Sequence, residues 1–203
     1  KLDEALLMIE KSIALDAENE LAHNVKGTIF YKQGKLDEGI ESYRKVLAIN
    51  PNSPEAYNNI GVAFQGLGNL EIAFKSFEKA LTLKPDFVNA LNNIGKACQY
   101  LGKSEEAIQY FNEALSLDPD HADAHLNRCF IYLKTNKIRE GLNDFEWRWR
   151  SKEFKSKARI FSKPVWDGHK HLKGKTILIW GEQGPQDMII WSSCLPYLKE
   201  LSC

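Results

Sequence analysis

The sequence has no apolar run of about 18 or more residues and no secretory leader, so neither a membrane span nor export is expected. It has no Cys-x-x-Cys spacing. Cys98, Cys129, Cys194 and Cys203 mostly sit among apolar residues, which points to reduced thiols and a cytoplasmic setting. Neither Gly-x-x-x-x-Gly-Lys nor Gly-x-Gly-x-x-Gly can be written anywhere in it, so no phosphate loop supports a nucleotide site. Net charge is missing as well, 27 basic residues standing against 27 acidic, and the whole implies no anionic partner. The distribution is uneven, however: residues 1–133 carry −6, residues 134–175 carry +8 and residues 176–203 carry −2.

What is present is a repeat. Gly27, Gly61 and Gly95 are spaced by 34 residues, and so are Pro51, Pro85 and Pro119. Between them recur Phe30, Phe64 and Cys98, then Gly39, Ala73 and Ala107, then Tyr43, Phe77 and Phe111. Small residues let two helices approach, aromatics fill the groove between them, and each Pro ends a second helix because it cannot donate to the ladder. This pattern resembles the tetratricopeptide repeat (TPR) family, a period-34 helix–turn–helix array. The resemblance implies an all-α fold, a right-handed superhelical solenoid with repeats at 20–53, 54–87 and 88–121. A degenerate capping repeat at 122–155 has Cys129 for Gly, Gly141 for Ala and no closing Pro. Residues 1–19 match only a second helix, with Ala5 and Ile9 at the small and aromatic places. "KLDEALLMIEKSIAL" opens in helical period with no cap before it, so the chain is expected to be an excised piece. Its first 19 residues are expected to fray or to pack on a neighbouring molecule.

In the first helix of repeat 54–87, Tyr57, Ile60, Gly61 and Phe64 make the packed stripe. At about 100° per residue, Asn59 points roughly 150° away from it. The same place holds Asn93 and Asn127 in the next repeats, while repeat 20–53 has Val25 there with Asn24 adjacent. Asn costs a helix about half a kcal/mol relative to Ala, so three in register invite an explanation. Each amide can donate to a carbonyl and accept from an N–H of an extended peptide. This resembles the asparagine ladder in the TPR superhelix of O-GlcNAc transferases; the alternative is an exposed face that bonds only water. Gln65, Lys96, Tyr100 and Phe130 lie on the same face and would supply specificity.

After the repeats, "FEWRWRSKEFKSKARIFSKPVWDGHKHLKGK" interleaves aromatic and basic residues. Single-stranded nucleic acid is one reading. The neutral chain and the absence of an RNA-binding motif argue instead for Trp residues that cap the solenoid, followed by a solvated linker at 156–175. His169 and His171 have no third ligand nearby in sequence, so no metal is expected. Residues 176–203 read as a buried strand, "KTILIW", a turn, "GEQGPQD", and a helix from Met188 that Asp187 could cap and Pro196 would interrupt.

The order "EWRWR", "PVWDG", "GKTILIWGEQG", then an Asp nine residues before the Pro of "CLPYL", resembles a bacterial family. In that family TPR repeats are fused to a glycosyltransferase-like domain related to heptosyltransferases, of two-lobed GT-B architecture. The resemblance covers Asp144 to Cys203 and implies Asp187 as the base that activates an acceptor hydroxyl. Gln186 stands where the family usually has Gly. One strand cannot build such a site, so no catalysis and no cofactor are expected of residues 1–203. Residues 176–203 are then expected to be disordered or completed by another molecule. The expected function is a protein-interaction module that binds a peptide or protein segment on the concave face. The alternatives are the recruiting arm of a glycosyltransferase and a scaffold that self-associates through its solenoid ends.

Overall fold

The computed structural model describes residues 2–151, and the expectations for residues 156–203, including the strand, Asp187, His169 and His171, lie outside them. Nine α-helices follow one another among the described residues: α1 Leu2–Leu15, α2 Glu20–Lys32, α3 Leu36–Ile49, α4 Pro54–Gly66, α5 Leu70–Leu83, α6 Val88–Tyr100, α7 Ser104–Leu117, α8 Ala122–Lys134 and α9 Ile138–Phe145. A 3-10 helix, Glu146–Arg150, completes the order.

Local chemistry sets the boundaries. Asn19 and Ser53 cap α2 and α4 by accepting from the N–H of Ala22 (2.9 Å) and Ala56 (3.3 Å), relieving one of the donors that every helix start leaves over. Inside each repeat the turn is a left-handed residue: Gly34, Gly68 and Gly102 have φ of +77°, +79° and +77°, and Asn136 takes the same place at +61°. The next residue's N–H then reaches back to the helix, as from Lys35 to the Phe30 carbonyl at 2.9 Å and Lys137 to the Tyr132 carbonyl at 2.8 Å. The second helices α3, α5 and α7 stop two residues before Pro51, Pro85 and Pro119.

Packing follows the small-residue positions. A Cβ on Gly61 would stand 2.5 Å from the Phe77 ring, and one on Gly95 2.6 Å from the Phe111 ring. Phe77 and Phe111 are fully buried, with Ala73, Ala80, Ala107 and Ala114 beside them. Each helix packs on the next in sequence, so the core is a continuous seam through the stack. First helices also touch one another across repeats (α2 with α4, α4 with α6, α6 with α8), whereas second helices make no comparable contact. The stack therefore curves with α2, α4, α6 and α8 on its inner side. The result is an all-α helix–turn–helix solenoid.

Its two ends differ from its middle. No residue of α1 is buried, and Leu7 and Met8 are more than half exposed. It is tied to α2 by Glu10–Lys26 at 3.0 Å and by Gln33 donating to Asp3 at 2.8 Å. At the other end α9 has 8 residues against 14 in α3, α5 and α7. Arg148 occupies the place that Val46, Ala80 and Ala114 hold in the earlier repeats. An apolar seat offers a guanidinium no partners. The chain instead tightens into the 3-10 helix, where Arg148 donates to the Phe145 carbonyl and to Glu146, both at 3.0 Å, over the Phe145 ring.

Candidate functional site

The inner layer carries two consecutive helix positions that recur with the repeat: Asn24-Val25 on α2, Asn58-Asn59 on α4, Asn92-Asn93 on α6 and Leu126-Asn127 on α8. Because first helices lie side by side, the second position of one repeat meets the first position of the repeat before. Asn59 Nδ2 donates to Asn24 Oδ1 at 3.0 Å, Asn93 Nδ2 to Asn58 Oδ1 at 2.9 Å and Asn127 Nδ2 to Asn92 Oδ1 at 3.0 Å. A longer contact of 3.4 Å, Asn58 Nδ2 to Asn59 Oδ1, joins the first two pairs.

Asn58 and Asn92 are buried, at 7% and 8% exposure; Asn24, Asn59, Asn93 and Asn127 are half-buried. A buried carboxamide left without a partner would cost about 1–3 kcal/mol, and the cross-repeat bond removes that cost. An Asn side chain offers two N–H donors and an acceptor oxygen. One donor each of Asn59, Asn93 and Asn127 is used in the pairs. Among the described residues, the second donor of each and the oxygens of Asn93 and Asn127 have no further intramolecular hydrogen bond. The sequence pattern singled out Asn24, Asn59, Asn93 and Asn127 and passed over Asn58 and Asn92, whose signal is the Asn-Asn doublet at the repeat period.

Lys96 and Phe130 occupy equivalent places on α6 and α8, one repeat apart, and Tyr100 follows Lys96 by one turn. Tyr100 and Phe130 are 65% and 50% exposed, large apolar surfaces at one end of the inner layer. Gln65 differs from them: it is half-buried, and its Nε2 is enclosed without a partner. No hydrogen bond ties Lys96, Tyr100 or Phe130 to the asparagine pairs among the described residues. A shallow hollow of about 260 Å³ opens beside Asn24, lined also by Glu20, Leu21, Ser53 and Glu55; no motif in the sequence pointed to it.

A second polar cluster closes the last helix pair. The carboxylate of Asp144, 5% exposed, takes Arg128 Nε and Nη2 at 2.7 and 2.8 Å, and Arg128 Nη1 reaches Asn112 Oδ1 at 2.7 Å. The bonds to Asp144 are the leading cause that holds the Arg128 guanidinium above its ordinary value. His125 lies between Asp144 Oδ1 (2.8 Å from Nδ1) and the Pro119 carbonyl (3.0 Å from Nε2), with its ring stacked on Trp147 at 4.1 Å. Burial raises the thiols of Cys98 and Cys129, the latter to about 11. Among the described residues no group of His, Cys, Asp and Glu could hold a metal ion, and no helix is long and apolar enough to cross a membrane.

Family models match the repeats. Residues 27–68 match a model described as TPR repeat, and residues 54–87 and 88–121 match the tetratricopeptide repeat model. Residues 27–121 therefore carry TPR repeats. Among solved structures, MamA superposes with a TM-score of 0.62 at 22% identity, covering 77% of this chain and 92% of MamA. TTC0263, a thermophilic TPR protein of Thermus thermophilus, gives 0.65 at 19% identity over 75% and 84% of the two chains. YrrB, described as a TPR protein with an unusual peptide-binding site, gives 0.55 at 21% identity over 73% and 77%. No curated protein sequence matches the chain.

Proposed function

We propose that the inner face of α2, α4, α6 and α8 binds an extended peptide or protein segment, gripping its main chain through Asn59, Asn93 and Asn127. The observation that carries this reading is the three cross-repeat amide pairs in register. An extended main chain presents donors and acceptors alternately, and the unspent N–H of each rung, with the oxygens of Asn93 and Asn127, matches that alternation. At about 1 kcal/mol net per hydrogen bond, the three N–H groups and two oxygens contribute about 5 kcal/mol before ordering costs. The affinity is therefore at best micromolar, with Tyr100, Phe130 and Lys96 as the side-chain contacts that select a sequence. The TPR architecture, and a peptide-binding site named for the structural neighbour YrrB, support the same reading.

The experiment is the triple substitution of Asn59, Asn93 and Asn127 by Ala, with affinity for a peptide selected from a random-sequence array measured by fluorescence anisotropy. A loss of binding is expected; unchanged affinity rules the rungs out. The order of motifs from Glu146 to Pro196 favours a second reading, in which the repeats recruit the acceptor for a glycosyltransferase with Asp187 as its base. Sugar transfer from a nucleotide sugar to a repeat-bound peptide, lost on Asp187→Asn, tests it.

A further inference from the structure

The geometry points to Asn58 and Asn92 as positioning residues: they fix the orientation of the Asn93 and Asn127 carboxamides before any peptide arrives. This rests on the peptide-binding reading above. A free Asn side chain on a helix rotates about two torsions, and a peptide that bound it would have to stop that rotation at a cost in entropy. Here Asn58 Oδ1 and Asn92 Oδ1 each hold one N–H of the next repeat's amide, at 2.9 and 3.0 Å, from a buried position. With one N–H captured, the plane of each held amide is set, and so are the directions of its second N–H and its oxygen. Neither Asn58 nor Asn92 need touch the peptide.

The chain itself shows which residues these two positions tolerate. Val25 fills the donor position on α2, and Leu126 fills the acceptor position on α8, 6% exposed. A leucine therefore fits this place on the last first helix, against which no further first helix packs among the described residues. The pairs run from Asn24 to Asn127 and use every Asn at these two positions.

The test compares Asn58→Leu and Asn92→Leu with Asn58→Asp in the full chain. Asp keeps an oxygen toward Asn93 in either protonation state; Leu, already native at the equivalent place, does not. The probe is a fluorescein-labelled peptide selected from a random-sequence array on the unmodified chain. Helical circular dichroism and the melting transition report that each variant is folded. Each Leu variant is expected to weaken binding about tenfold, and Asn58→Asp to restore most of it. Side-chain amide NMR supplies a second readout: slowed exchange and restricted motion at Asn93 Nδ2 in the unmodified chain, lost in Asn58→Leu, with the same pairing for Asn127 and Asn92→Leu.

Binding unchanged in the Leu variants, with binding by the unmodified chain intact, overturns the positioning role and leaves the peptide-binding reading standing. An unmodified chain that binds nothing on the array overturns that reading. In that case the NMR decides the present one: freely rotating Asn93 and Asn127 amides in the unmodified chain sink it, and held amides released by Leu support it.

Discussion

A single methyl group decides whether two helices of a repeat can meet. The Phe77 ring lies where a Cβ on Gly61 would have to go, 2.5 Å away, and the ring is fully buried. Gly61→Ala should therefore lower stability by about 1–3 kcal/mol despite Ala's better helix propensity. The drop is read as a lower urea midpoint; an unchanged or raised midpoint would mean the ring repacks freely. Burial acts on sulfur at the same scale. The Cys129 thiol, pushed up to about 11, carries little thiolate at pH 8. Its alkylation by iodoacetamide, mapped by mass spectrometry, should proceed only as fast as the protein opens and should accelerate in denaturant. Rapid labelling of the native protein would contradict this. Asn59, like Asn24, Asn93 and Asn127, was legible in the sequence; Asn58 and Asn92 were not. The exposure of Asn59 follows from one helix, whereas the role of Asn58 depends on which residue the next first helix sets against it, which no single repeat reveals.

Among the elements, α9 behaves unlike the other second helices, and the reason is polar. The repeat pattern was legible up to this point because Gly, Ala, aromatic and Pro positions each answer to one steric demand repeated every 34 residues. Gly141 for Ala and the missing Pro mark the fourth repeat as irregular. The stop at Phe145 arises from Asp144 and Arg148, whose partners Arg128, His125 and Phe145 come together only in the folded pair. Asp144 is the hub. Asp144→Ala leaves the Arg128 guanidinium half-enclosed without its carboxylate and takes from His125 its Nδ1 partner, and should destabilise the last helix pair by about 3 kcal/mol. The loss should be local: amide exchange in α8 and α9 should rise while α4 and α5 stay protected. Loss of protection through the whole chain at once would show that the fourth repeat is no separable cap. The double variant Arg128→Met, Asp144→Leu should recover much of the loss, since a buried pair replaced by apolar groups of similar size is often neutral.

Across the whole stack, stability is a sum over neighbours, so a helix with a partner on one side only is the first to open. With no buried residue of its own, α1 should exchange fastest among the described helices and α6, with seven, slowest. Ligand binding tests the stack in another way, because its inner face offers two different kinds of force. The rungs Asn24–Asn59, Asn58–Asn93 and Asn92–Asn127 are uncharged. Lys96 on the inner layer, with Glu20 and Glu55 at the hollow, is charged, and the Debye length falls from about 10 Å at 0.1 M salt to about 3 Å at 1 M. If the amides do the gripping, affinity for an uncharged extended peptide should change less than about twofold over that range. A peptide carrying a carboxylate that contacts Lys96 should weaken by more, and Lys96→Ala should abolish the difference between the two. If instead the uncharged peptide is lost at high salt, or if only charged peptides bind at all, the main-chain grip is wrong and the inner face recognises its partner by charge.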